Sequence, residues 1–93
     1  MSYIVRIELD SNIMADFNVL HEEMRAHGFS RTIRSTDSKE YYLPRATYLI
    51  NTNLSRSQVL ENTKIAVSKT FKNAEIIVIE YVGCSWSGLK PVK

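Results

Sequence analysis

The chain has 93 residues, 44% hydrophobic and 24% charged, with a formal net charge of +2. That length supports one domain with one modest core, and the composition is that of a globular protein rather than of a wholly disordered chain. The slight positive charge permits an anionic partner without demanding one.

Tyr3-Ile4-Val5-Arg6-Ile7-Glu8-Leu9 alternates and predicts a first strand. Tyr3, Val5, Ile7 and Leu9 share its inner face; Ile4, Arg6, Glu8 and Asp10 share the other. Ser11 or Asn12 is the expected N-cap of a first helix with the stripe Ile13, Phe17, Leu20 and Met24, flanked by His21. Gly28 is placed to end it in the left-handed conformation. Phe29 to Ser35 and Glu40 to Ile50 then read as a hairpin around Thr36-Asp37-Ser38-Lys39. Pro44 cannot donate to a ladder, so regular pairing in the third strand is expected from about Arg45. Ser55-Arg56-Ser57-Gln58 is a capping box for a second helix with the stripe Val59, Leu60, Thr63, Ala66, Val67 and Thr70. Ile76 to Val82 is a last strand, apolar on both faces. Ile4, Ile76 and Val78 are expected on the open face of the sheet, with Trp86 and Leu89 of the tail as a cover, or a partner in its place.

The order βαββαβ is the ferredoxin-like pattern: a four-stranded antiparallel sheet with two helices on one face. The expected division is a domain over 1–83 and a C-terminal tail over 84–93. The longest apolar run, Ile76 to Ile79, is too short for a bilayer span, so no membrane association is expected. A single cysteine, Cys84, and the early charges Arg6 and Glu8 suit a cytoplasmic protein without a secretory leader.

Few residues carry chemistry. Only Gly28, Gly83 and Gly88 are present, which excludes glycine-loop nucleotide binding and an α/β-hydrolase elbow. His21 and His27 lie six apart on the first helix, the wrong step for a metal pair, and read as helix histidines at the core edge. Cys84 has no neighbouring base to activate it. Tyr41-Tyr42-Leu43-Pro44-Arg45-Ala46-Thr47-Tyr48 lacks the glycine and aromatics of an RNA-recognition motif. Two features remain. Glu8 and Asp10 end the first strand on one face, as paired carboxylates that suit acid–base work or a divalent metal. Solvated charges at a strand end are the plainer reading. The stretch from Arg25 to Arg45 holds five basic residues against Asp37 and Glu40. Its Arg31, Arg34, Lys39 and Arg45 are candidate phosphate contacts, because a guanidinium offers two parallel charge-assisted bonds. An edge hairpin kept soluble by charge is an equal alternative.

Tyr3-Ile4-Val5-Arg6-Ile7-Glu8-Leu9-Asp10, Gly28-Phe29-Ser30-Arg31-Thr32-Ile33 and Tyr42-Leu43-Pro44-Arg45-Ala46-Thr47-Tyr48 together resemble the GhoS family of small bacterial proteins. The resemblance implies a ferredoxin-like domain and, for the founding member, the antitoxin of a type V toxin–antitoxin system that cleaves its toxin's messenger RNA. It also implies likeness in fold to the small CRISPR adaptation nucleases, where an aspartate ending the first strand is catalytic. On that pattern Asp10 is the candidate metal ligand or acid–base residue, with Glu8 beside it and Mg²⁺ or Mn²⁺ as the metal. Arg31 and Arg34 are candidates for RNA contact. The expected function is thus RNA-directed, an endoribonuclease antitoxin acting on single-stranded or messenger RNA. The alternative is a non-catalytic, homodimerising interaction module.

Overall fold

Strand β1 (Ser2–Leu9) buries Tyr3, Val5, Ile7 and Leu9 and leaves Arg6 and Glu8 in solvent, as its alternation requires. The structure is a computed structural model that describes every residue from Met1 to Lys93. Helix α1 (Met14–Ala26) follows, with Phe17, Leu20 and Met24 buried. Its N-cap position falls on Ile13 rather than on Ser11 or Asn12, and no side chain caps it. Ser11 serves two residues earlier: its hydroxyl oxygen accepts the Ile13 amide at 3.1 Å, and the hydroxyl donates to the Asp16 carboxylate.

Helix α1 stops where a glycine permits it. Gly28 sits at φ +90, its amide donates to the Arg25 carbonyl at 3.0 Å, and the Phe29 amide donates to the Met24 carbonyl at 3.0 Å. That pair of bonds is the Schellman arrangement, and it carries Phe29 into the same core as Met24.

The run expected as one strand from Glu40 to Ile50 is two. β2 (Thr32–Arg34) and β3 (Glu40–Tyr42) form a two-stranded ribbon, and β4 (Thr47–Asn51) belongs to the main sheet. Pro44 is the cause. It supplies no amide, its carbonyl closes a turn with the Thr47 amide at 3.0 Å, and buried Ala46 adopts φ +60. Pairing therefore resumes at Thr47, opposite Arg6, two residues later than expected.

Helix α2 (Arg56–Ser68) opens on the expected capping box: the Gln58 amide donates to Ser55 Oγ at 3.2 Å, and Gln58 Oε1 accepts the Ser55 amide at 2.9 Å. It buries Val59, Thr63, Ala66 and Val67, and the buried Thr63 hydroxyl donates to the Val59 carbonyl at 2.9 Å. Strand β5 (Ala74–Tyr81) closes the chain's regular structure. The main sheet has the antiparallel order β4-β1-β5, three strands rather than the expected four. The ribbon touches it through one bridge, Ser30 to Leu49, with two 2.8 Å bonds. Both helices and the inner face of β1 share one core, so the fold is α+β with its helices on one side of the sheet.

The register of β5 corrects one expectation. Ile76 lies opposite Ile7 and Val78 opposite Val5, so both face the helices. The open face instead carries Ile4, Ile77 and Ile79, the last two about half exposed. The tail joins the ribbon. Tyr42 donates to the Lys90 carbonyl at 2.8 Å, Val92 donates to the Glu40 carbonyl at 3.0 Å, and Trp86 lies 5.8 Å from Tyr41, ring centre to ring centre. No helix is long and apolar enough to cross a membrane.

Candidate nucleic-acid interface

At the end of β1 the ladder places Glu8 directly opposite Glu75, and the Asp10 amide donates to the Asn73 carbonyl at 2.8 Å. Glu8, Asp10, Asn73 and Glu75 therefore line one hollow of about 330 Å³. Like charges opposed across a ladder repel, so this tip is a costly arrangement in water and attracts cations. Asp10 makes no ion pair; Glu8 makes a loose one with Arg6 at 3.7 Å. The two carboxylates expected to act together are thus adjacent and open to solvent. They do not make a metal cage: no three His, Cys, Asp or Glu side chains converge in a geometry that could hold an ion.

The four basic candidates separate. Arg34 is spent within the ribbon, where it pairs with Glu40 at 2.8 Å and donates to the Ser38 carbonyl at 3.2 Å. Thr32 donates to the same carboxylate at 3.1 Å. Lys39 stands exposed and unpaired at the ribbon turn, where Ser38 takes φ +67. Arg31 and Arg45 are exposed and make no ion pair, and both bear on one flank of α1. The Arg45 guanidinium carbon lies 4.2 Å from the centre of the Phe17 ring, a cation–π contact that holds the charge at the surface. Arg45 and Phe17 line a hollow of about 230 Å³ together with Arg6, Glu8 and Ser11. Arg31 lines another, of about 320 Å³, with His21, Arg25, Phe29 and Ser30.

A residue not counted among the candidates borders the second of these hollows. His21 Nδ1 lies 2.6 Å from the hydroxyl of fully buried Tyr48. A tyrosine on the inner face of a strand needs a partner for its hydroxyl, and that was the available signal; the partner lies 27 positions away. Burial, then Arg31, then Arg45 push the imidazole down to about 4, and burial pushes the Tyr48 phenol up. At neutral pH both are uncharged.

A histidine whose folded pKa lies below its unfolded value of 6.5 favours the native state at higher pH. That contribution is complete above about 6.5 and is lost as pH falls towards about 4. Urea midpoints should accordingly fall on acidification from about pH 6.5, before most carboxylates titrate. His21→Gln should flatten that upper part of the profile.

No protein-family model matches this chain, and no curated protein matches it.

Proposed function

We propose that the chain binds single-stranded RNA along the α1 flank and acts on it as an endoribonuclease antitoxin of the GhoS kind. The observation that carries the reading is the hollow shared by Arg6, Glu8, Phe17 and Arg45. It brings an unpaired arginine into one hollow with Glu8, so a backbone phosphate held at Arg45 lies near Glu8, and Asp10 stands two residues further on in the adjacent hollow that Glu8 also lines. The resemblance through Tyr3–Asp10, Gly28–Ile33 and Tyr42–Tyr48 supports the same function. We also read the fold as ferredoxin-like. The bridge of Ser30 to Leu49, on the free edge of β4, supports this reading, with the ribbon as a fourth strand interrupted at Pro44.

In this reading Arg31 and Arg45 hold phosphates, with Lys39 as an outlying contact, and Asp10 moves a proton, with Glu8 tuning the field around it. Purified protein incubated with single-stranded RNA tests it. Cleavage is expected, and Asp10→Ala should slow it by about 10²-fold or more, the usual loss on removing an acid–base group. Parallel reactions with Mg²⁺ and with chelator show whether a metal from solution contributes. Unchanged cleavage by Asp10→Ala removes the catalytic role.

The half-exposed Ile77 and Ile79 on the open face, with β5 at the sheet edge, favour the second reading, a homodimerising interaction module. A stable dimer in light scattering that is indifferent to RNA selects it.

A further inference from the structure

The contact between His21 and Tyr48 has no part in the cleavage scheme, yet it ties the α1 flank directly to β4. The two rings lie 5.8 Å apart and tilted by 57°, with the phenol oxygen 2.6 Å from Nδ1. Tyr48 is fully buried in β4, so its hydroxyl fixes the imidazole plane and leaves Nε2 without a partner in the protein. The ring borders the hollow that Arg31 lines. One turn earlier on α1, Phe17 carries Arg45 at 4.2 Å.

The charges around the ring are few. Glu22 and Arg25 of α1 pair with each other at 2.8 Å. Arg31 comes from the segment after Gly28, and Arg45 from the turn before β4. Glu8 lines the hollow at Arg45 but not the one His21 borders, and its ion pair is with Arg6. Arg31 therefore shares a hollow with the imidazole and has no ion pair of its own; Arg45, also without one, lines a separate hollow beside Phe17.

From this arrangement we infer that His21 and Arg31 form a seat for one phosphodiester group, in which the imidazole takes up a proton as the phosphate arrives, while Arg45 lines a separate hollow for another phosphate. The seat depends on the RNA reading for its ligand and on the side-chain geometry for its place. In the free protein burial first, and then the two arginines, oppose a positive charge on the ring; a bound phosphate offsets the arginines and raises the ring's affinity for a proton. The Tyr48 hydroxyl donates to Nδ1 of the neutral ring or accepts from the charged one, so gaining the proton sacrifices no hydrogen bond. Because binding takes up a proton, affinity must rise as pH falls.

The test follows the His21 ring by NMR between about pH 4 and 8, where imidazoles titrate, with and without a short oligouridine. Uracil does not ionise in that span. The free midpoint is expected at about 4. Saturating oligouridine should raise it by about one to two units, with affinity rising by up to roughly tenfold between neutral pH and about pH 5. Arg31→Gln should raise the free midpoint and shrink the RNA-induced rise, which a merely structural arginine would not do. His21→Gln should bind RNA with little pH dependence. Binding that leaves the midpoint unmoved, or moves it equally in Arg31→Gln, overturns the seat and spares the RNA reading. No RNA binding at low salt overturns both.

Discussion

Replacing Arg31 and Arg45 together by glutamine is expected to weaken binding of single-stranded RNA by about 10²-fold near 0.1 M salt. Each guanidinium that loses a phosphate forfeits about 1.5 kcal/mol or slightly more, roughly tenfold in affinity. Both side chains are exposed and neither belongs to an ion pair, so the fold should survive within about 1 kcal/mol. The cation–π contact of Arg45 with Phe17 accounts for most of that change. Single-strand binding releases about 0.7 counterion per phosphate contact, so the slope of log affinity against log salt should flatten by about 1.4. Arg34→Gln is the informative control. Its charge is already committed to Glu40 at 2.8 Å, and its loss should change RNA affinity by about twofold at most. Equal losses from Arg34 and from Arg31 would show that net charge alone drives binding.

Phe17→Ala should produce the largest stability loss, because one ring serves both the core and the interface. Phe17 is 4% exposed and packs in the single core with Leu20 and Met24. Truncating a buried phenylalanine costs about 3–5 kcal/mol. A domain of this size holds about 5–15 kcal/mol in total, so the urea midpoint should drop sharply and the melting temperature by about 15 °C or more. Phe17→Leu separates the two roles. Leucine restores most of the apolar volume but offers no π face to Arg45, so stability should fall by only about 1–2 kcal/mol. RNA affinity should still fall severalfold as the guanidinium loses its platform. A Phe17→Leu protein with native RNA affinity would show that the ring positions nothing.

The residues differ in how plainly they announce their roles. Ser55 and Gln58 declare the start of α2 because a capping box is local chemistry within four residues. Gly28 declares the end of α1 for the same reason, since only a glycine adopts φ +90 without strain. β1 is legible from its alternation. β5 is not: Ile76, Ile77, Val78 and Ile79 suit either face, and only pairing with β1 decides that Ile76 and Val78 turn inward. Pro44 signalled a break, but a proline alone cannot say whether the strand bends or changes sheets. At the interface, the expected turn Thr36-Asp37-Ser38-Lys39 sets Ser35 opposite Glu40, so the Arg34–Glu40 ion pair emerges only from the observed register, in which Arg34 faces Glu40. The neighbourhood of His21, Tyr48, Arg31 and Arg45 was not readable either, because it is assembled from a helix, a connector, a turn and a strand far apart in the chain.

The salt dependence of wild-type binding to single-stranded RNA tests the central claim most directly. With Arg31, Arg45 and Lys39 each holding a phosphate, log affinity should decline linearly with log salt at a slope of about −2. Absence of measurable binding at about 50 mM salt, or binding indifferent to salt, would contradict a phosphate-gripping face on this protein.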